Sequence, residues 1–322
     1  MVRIIGVPFD ACGRRVGSRL GPIAMRVEGL VTGLERLGHK VEDTGAVTEL
    51  DSWAPRTNKE KFDRANAVYR ETKARVADAI KNRRAPVVIG GDHSVAIGSV
   101  AGALAHYGRD LAVLWVDAHV DLNTPEVSPS GNLHGMPLAA LTGLKSKATG
   151  GMKRQWDELA KIVGPTKLDP KKLAWIGLRD VDKGEILNLK RVPGSLPLTM
   201  QDVDDMRVTG ALKKVDGHFR RAKAKALWVS FDVDCLDPVF APGTGTAVRG
   251  GFTYREGHLI AETLHALLNA KNAPYRLAGL EIVEVNPLAD TQNETANIAM
   301  EWTLSFFGKT ILHPEDPGRT ER

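Results

Sequence analysis

Six short runs of this chain are apolar almost from end to end, and longer stretches of helical periodicity separate them. The runs are Val2–Val7, Pro86–Ile89, Leu111–Val116, Leu173–Ile176, Ala226–Phe231 and Leu277–Val283. A strand with one wet face alternates apolar and polar residues. Strands without that alternation have both faces covered, the condition of a parallel sheet in an α/β protein. Helices are expected at Pro22–Leu37, Lys59–Lys81, Val95–His106, Arg255–Leu268 and Glu294–Phe307. Pro22 suits the first turn of the earliest helix and Gly38 its stop. In Lys59–Lys81, the residues Phe62, Ala65, Tyr69, Thr72, Val76 and Ile80 fall near one stripe. The stretch Lys145–Lys172 is polar, with a helix-like middle at Lys153–Ile162, and reads as a surface insertion. The tail HPEDPGRTER is expected to fray. No repeat and no Gly/Ser linker divides the chain, so residues 1–322 read as one domain.

The 44 Lys and Arg against 39 Asp and Glu leave a net charge of +5. That charge is scattered. Its densest clusters are Lys213-Lys214 and Arg220-Arg221-Ala222-Lys223-Ala224-Lys225, and no aromatic platform interleaves them. They read as a solvated helical face, and no nucleic-acid partner is expected. Cys12 and Cys235 are too few for a disulfide framework, which points to the cytoplasm. The start MVRIIGVPFDACGRR lacks the apolar stretch of a signal peptide. No run approaches the roughly 20 apolar residues of a membrane span.

The chemistry-bearing residues sit where strands stop. His93 follows VVIGGD. Asp117, His119 and Asp121 follow LAVLWV at i, i+2 and i+4. Asp232 and Asp234 close LWVSFDVD. Continued extended backbone would turn the i, i+2, i+4 set to one side. In parallel α/β sheets, ligand sites lie beyond the carboxyl ends of the strands. Alone, each Asp could be a turn former and each His an ordinary polar residue. Together, four carboxylates at one sheet edge repel unless a counter-ion joins them. Two divalent cations balance four carboxylates, and the imidazoles add neutral donors. A set rich in oxygen with two nitrogens suits Mn²⁺.

These motifs carry a family resemblance. GGDHS, DAHVD and SFDVD, in this order, resemble the ureohydrolases, and the resemblance runs from GVPFDACGRRVGSRLGPIAMR to EIVEVNP. It implies a three-layer α/β/α sandwich with a mostly parallel sheet, and two Mn²⁺ held by His93, Asp117, His119, Asp121, Asp232 and Asp234. It also implies a homotrimer or homohexamer. DLNTPEVSPSGNLHGMP and GLRDVDKGE resemble the arginase branch in particular. By that resemblance Asn123 and Ser130, with Ser128 helping, meet the α-carboxylate of L-arginine. Asp182 and Glu185 meet its α-amino group. Glu284 orients the guanidinium, Thr246 lines the same pocket, and His134 shuttles protons. The implied reaction is hydrolysis of L-arginine to L-ornithine and urea by a hydroxide bridging the two ions, with Asp121 passing its proton to the leaving amine.

Cys235 and Ala247 depart from the arginase pattern, and APGTGT at 241–246 also reads much like agmatinase. The first alternative is therefore an agmatinase or another guanidino-acid ureohydrolase with the same metal chemistry. A catalytically silent scaffold and a single-zinc amidohydrolase are further readings, and six intact ligand positions speak against both.

Overall fold

Each uniformly apolar run forms a central strand of one sheet. The computed structural model describes residues 1–49 and 54–312. Eight strands are formed: β1 (Val2–Gly6), β2 (Val41–Ala46), β3 (Ala85–Ile89), β4 (Leu111–Val116), β5 (Leu173–Leu178), β6 (Leu196–Thr199), β7 (Ala226–Asp232) and β8 (Arg276–Val283). Their order is β2-β1-β3-β8-β7-β4-β5-β6. Every pairing is parallel, so the sheet is wholly and not just mostly parallel.

The missed strands, β2 and β6, are the two edges. An edge strand pairs on one side only, and neither VEDTGA nor LPLT carries a continuous apolar run. Pro197 is tolerated there because an edge leaves one side of the backbone unpaired.

The α-helices are α1 (Gly21–Val27), α2 (Leu30–Arg36), α3 (Asn58–Lys81), α4 (Ala96–Tyr107), α5 (Pro137–Thr142), α6 (Gly150–Val163), α7 (Lys183–Leu189), α8 (Met200–Arg221), α9 (Tyr254–Leu268) and α10 (Glu294–Phe306). Successive strand residues alternate between two cores. Ala112, Leu114 and Val116 of β4 join residues of α1, α2, α8, α9 and α10. Leu111, Val113 and Trp115 join residues of α3, α4, α5 and α6. The result is the expected α/β/α layering, with helices covering both faces. No helix among the described residues is long and apolar enough to cross a membrane.

Two expectations need correction. The single helix over 22–37 is two, because Gly29 between them takes φ 89°, a left-handed value that breaks the helix. The 145–172 stretch is not a surface segment at its centre. It holds α6, whose Trp156, Leu159, Ile162 and Val163 are buried in the α3/α4 core. Gln155 exchanges a reciprocal pair of amide hydrogen bonds with Asn66 of α3, at 2.9 and 3.0 Å. Its surface residues are polar, which hides the buried stripe from a reading by composition. The solvated helical face holds, for Lys213, Lys214, Arg220 and Arg221 are exposed on α8. The tail at 313–322 lies outside the described residues.

The α6 packing can be tested. Trp156→Ala removes a buried indole whose Nε1 donates to Leu144 O at 3.1 Å. The expected loss in urea unfolding is about 3–5 kcal/mol, whereas Lys153→Ala on the exposed side should change stability by less than about 0.5 kcal/mol. A neutral Trp156→Ala would return α6 to a peripheral role.

Candidate metal centre and substrate pocket

The central strands β3, β8, β7 and β4 deliver their carboxyl ends to one place. Past β3 the chain turns through Gly90-Gly91, where a Cβ on Gly91 would lie 1.8 Å from Phe9 O, so only glycine lets it pass. Asp92 then caps the following turn. It accepts from Ser94 N at 3.0 Å and from Cys12 N at 2.9 Å. The His93 ring stacks on Trp115 with centroids 4.0 Å apart. His93 Nε2 lies 2.8 Å from Ser230 Oγ. So anchored, His93 turns Nδ1 to three carboxylates. It is 3.0 Å from Asp117 Oδ2, 3.0 Å from Asp232 Oδ2 and 3.1 Å from Asp121 Oδ2.

A second group forms beside the first. His119 Nδ1 lies 3.1 Å from Asp234 Oδ2 and 3.3 Å from Asp117 Oδ1. Asp117 thus presents one oxygen to each imidazole. His93, Asp117 and Asp232 make one group that could hold a metal ion, and Asp117, His119 and Asp234 make another. Asp121 reaches the first by a route the spacing did not foresee. Its φ of 53° breaks the extended run. Such left-handed non-glycine backbone is kept only where surroundings enforce it.

The electrostatics fit a cation. Asp117, Asp121, Asp232 and Asp234 are all buried. Burial, together with the charges of Asp234 and Asp117, drives the Asp232 carboxyl well up. Burial and the Asp117 charge bring Asp121 to about 6. Burial opposes charge on His93 and His119, but the surrounding carboxylates outweigh it and raise both. Burial would likewise raise Asp117, yet the two imidazoles beside it carry it down. These directions mark a place where added positive charge is favoured, the condition a divalent cation would meet. His93 Nδ1 and Asp117 Oδ2 are buried 3.0 Å apart without a hydrogen-bond partner. Donor atoms left in that state suit a shared ion.

Glu284 closes the site from the end of β8, again with positive φ, 64°. Its Oε1 accepts from His93 N at 3.0 Å and lies 3.1 Å from His134 Nδ1. Burial would lower the His134 pKa, but the Glu284 bond and charge raise it to about 9. Thr246 Oγ1 donates to Asp234 Oδ2 at 2.8 Å.

The residues expected at the amino-acid end divide differently. Asp182 is the N-cap of α7, Oδ1 accepting from Gly184 N and Glu185 N at 2.6 and 3.0 Å. Its Oδ2 accepts from Asn123 Nδ2 at 2.6 Å. Glu185 turns back into this capping box, accepting from Asp182 N at 3.2 Å. Burial, then Asp121 and Asp182, push its carboxyl up to about 8. Asn123 is buried and paired with Asp182, whereas Ser128 and Ser130 lie further out on the loop. Their hydroxyl oxygens accept from Gly131 N at 3.0 Å and Asn132 N at 3.2 Å.

Other site neighbours went unread in the sequence. Ser230 interrupts an apolar β7, and Glu281 interrupts β8, where Ser99 donates to it. A polar residue inside an all-apolar strand was the available signal. Asp180, 3.7 Å from His119 Nε2, and Arg179 stand inside GLRDVDKGE and carried no separate signal.

Comparison with known proteins agrees with this geometry. The profile of the Arginase family matches residues 1–308. The chain is 39% identical over 318 residues to an arginase of Bacillus caldovelox, covering 97% of this chain and 99% of that one. It is 38% identical over 321 residues to an arginase of Staphylococcus aureus, with 97% and 98% covered. The solved structure of the Bacillus caldovelox arginase superposes with a TM-score of 0.84 at 37% identity, covering 96% of this chain and 99% of that one. By profile, identity and fold together, the chain belongs to the arginase family, hydrolases that act on a guanidino C–N bond.

Proposed function

We propose that this protein hydrolyses L-arginine to L-ornithine and urea, with His93, Asp117, His119, Asp121, Asp232 and Asp234 holding two Mn²⁺ ions. The observation that carries the reading is the pair of His/Asp groups joined through Asp117. Two divalent cations there supply Lewis acidity and make water a competent nucleophile near neutral pH.

The chain's own groups bind and orient the substrate. Glu284 Oε1 is fastened by His93 N and His134, while Oε2 faces the space kept open by Gly245, where a Cβ would come within 3.3 Å. That oxygen pairs with the guanidinium and sets which face of its carbon is presented. Asp121 accepts the proton released on attack and hands it to the departing ornithine amine. His134 exchanges protons with solvent at the site's rim. Asn123, Ser128 and Ser130 receive the α-carboxylate, and Asp182 with Glu185 behind it receives the α-ammonium. Thr246 steadies Asp234 at the guanidinium end. The two buried, unpaired cysteines fit a cytoplasmic setting.

A second reading, agmatine as substrate, draws on one observation. The Asn123 amide is already engaged by Asp182, and Ser130 sits on the exposed rim. Both substrates meet the same metal-end groups, so the amino-acid corner decides between them.

Urea release from L-arginine and agmatine, measured side by side after incubation with Mn²⁺, tests the reading. L-arginine should win by on the order of a hundredfold, since agmatine leaves carboxylate-binding donors unpaired. Asn123→Ala and Asp182→Ala should each erode that ratio, chiefly through KM. Equal or better turnover of agmatine by the unaltered enzyme would replace arginase activity with agmatinase activity.

Metal binding should depend on pH in a definite direction. Mn²⁺ must displace the protons held by the raised histidines, whereas Asp121, near 6, sheds most of its own by about pH 7. Affinity should therefore rise from pH 6 to pH 8, by roughly tenfold per pH unit for each proton displaced. Asp232→Ala should abolish binding at the His93 group and most activity. A fully active enzyme holding a single ion would overturn the two-ion reading.

His134→Asn should lower turnover by roughly a hundredfold or more, since a positioned acid–base group is typically worth about 10²–10⁴. Its Mn²⁺ content should match the unaltered enzyme. Loss of metal would make His134 a ligand instead.

A further inference from the structure

Arg179 follows directly on β5, and its charge helps lower the carboxyls of Asp180 and Asp237 nearby. Its guanidinium is spent on backbone carbonyls. Nη2 donates to Asp234 O at 2.6 Å, Val248 O at 2.7 Å and Leu236 O at 3.2 Å. Nη1 donates to Cys235 O at 3.2 Å and Gly177 O at 3.3 Å. Nε donates to Val248 O and Arg249 O, each at 3.3 Å. The backbone N–H groups of Arg179 and Asp180 both donate to Ala118 O, at 2.9 and 3.1 Å. One residue therefore ties the ends of β4, β5 and β7 to the segment after Thr246.

The consequence differs for the two halves of the cluster. Asp232 is the last residue of β7 and is held by pairing with Val283 of β8. Asp234 lies beyond the strand, in a single turn over Val233–Cys235. Carbonyls at such a turn's end have no partner within the turn. The planar guanidinium gathers those of Asp234, Cys235 and Leu236 in succession, which holds the turn and with it the direction of the Asp234 side chain. The grip on Val248 and Arg249 fixes the segment that carries Thr246, the residue bonded to Asp234 Oδ2. Gly251 leaves room for this, since a Cβ there would stand 2.6 Å from Nη2. Lysine brings three donors on one point and cannot span these acceptors.

We propose that Arg179 is a positioning residue for Asp234, so that the ion held by Asp117, His119 and Asp234 depends on it while the ion held by His93, Asp117 and Asp232 does not. This rests on the two-ion reading above. The test is calorimetric titration of the dialysed full-length protein with Mn²⁺, comparing the unaltered chain with Arg179→Met and Arg179→Lys. Far-UV circular dichroism and the melting temperature of the metal-free forms report folding separately. The unaltered chain should bind two ions. Arg179→Met should keep one at unchanged affinity and bind the other ten- to hundredfold more weakly, the usual effect of removing a ligand's support. Arg179→Lys should fall between. Two unchanged sites in folded Arg179→Met, or equal weakening of both, would overturn the proposal. If Arg179→Met does not fold, Arg179→Lys decides by the same criterion. Fewer than two ions on the unaltered chain would instead refute the two-ion reading.

Discussion

The top of this sheet is organised by one electrostatic constraint. Four buried carboxylates, Asp117, Asp121, Asp232 and Asp234, stand around two imidazoles. Such charge is tolerated in a protein interior only when opposite charge joins it. The carboxylates raise both His93 and His119 against the effect of burial, and burial with like charge raises Asp121 and Asp232, so the cluster favours added positive charge. Asp117 is the hinge of the arrangement, because its two oxygens address different imidazoles. Moving it would disturb both groups together.

The sheet makes this crowding feasible. Central strands that are apolar on both faces are clamped between two helical layers, so their ends are held to the precision of a packed core. The strain is placed where the strands give out. Glu284, directly after β8, and Asp121, five residues past β4, both take positive φ. A few polar residues placed inside otherwise apolar strands stiffen the ligands from behind. Ser230 steadies the far side of the His93 ring, and Trp115 supports its face. Metal ligands depend on such outer partners for orientation.

The two ends of the candidate site are built differently. Glu284, His134 and Thr246 are tied into the ligand cluster by hydrogen bonds. Ser128 and Ser130 stand on a loop whose polar atoms close small turns. The hydrogen-bonded cluster thus resides at the carboxyl ends of the central strands, while the serines reside on a loop, where change costs little stability.

Unbroken apolar runs were enough to predict a parallel sheet under two helical layers, because burial on both faces leaves no room for a polar alternation. Strand-end motifs were enough to predict which residues meet, because the carboxyl ends of such strands converge. The edges β2 and β6 were invisible, since strands covered on fewer sides need no apolar pattern. So was the depth of α6, whose few buried residues are diluted by a polar exposed face. Tertiary structure alone decided that Asp117 serves both halves of the cluster. It also decided that Asp121 arrives through a left-handed bend, and that Asp182 is a helix cap bonded to Asn123. Arg179 shows the limit most clearly. Its acceptors are backbone carbonyls, which every residue possesses, so no pattern of side chains along the chain can announce them.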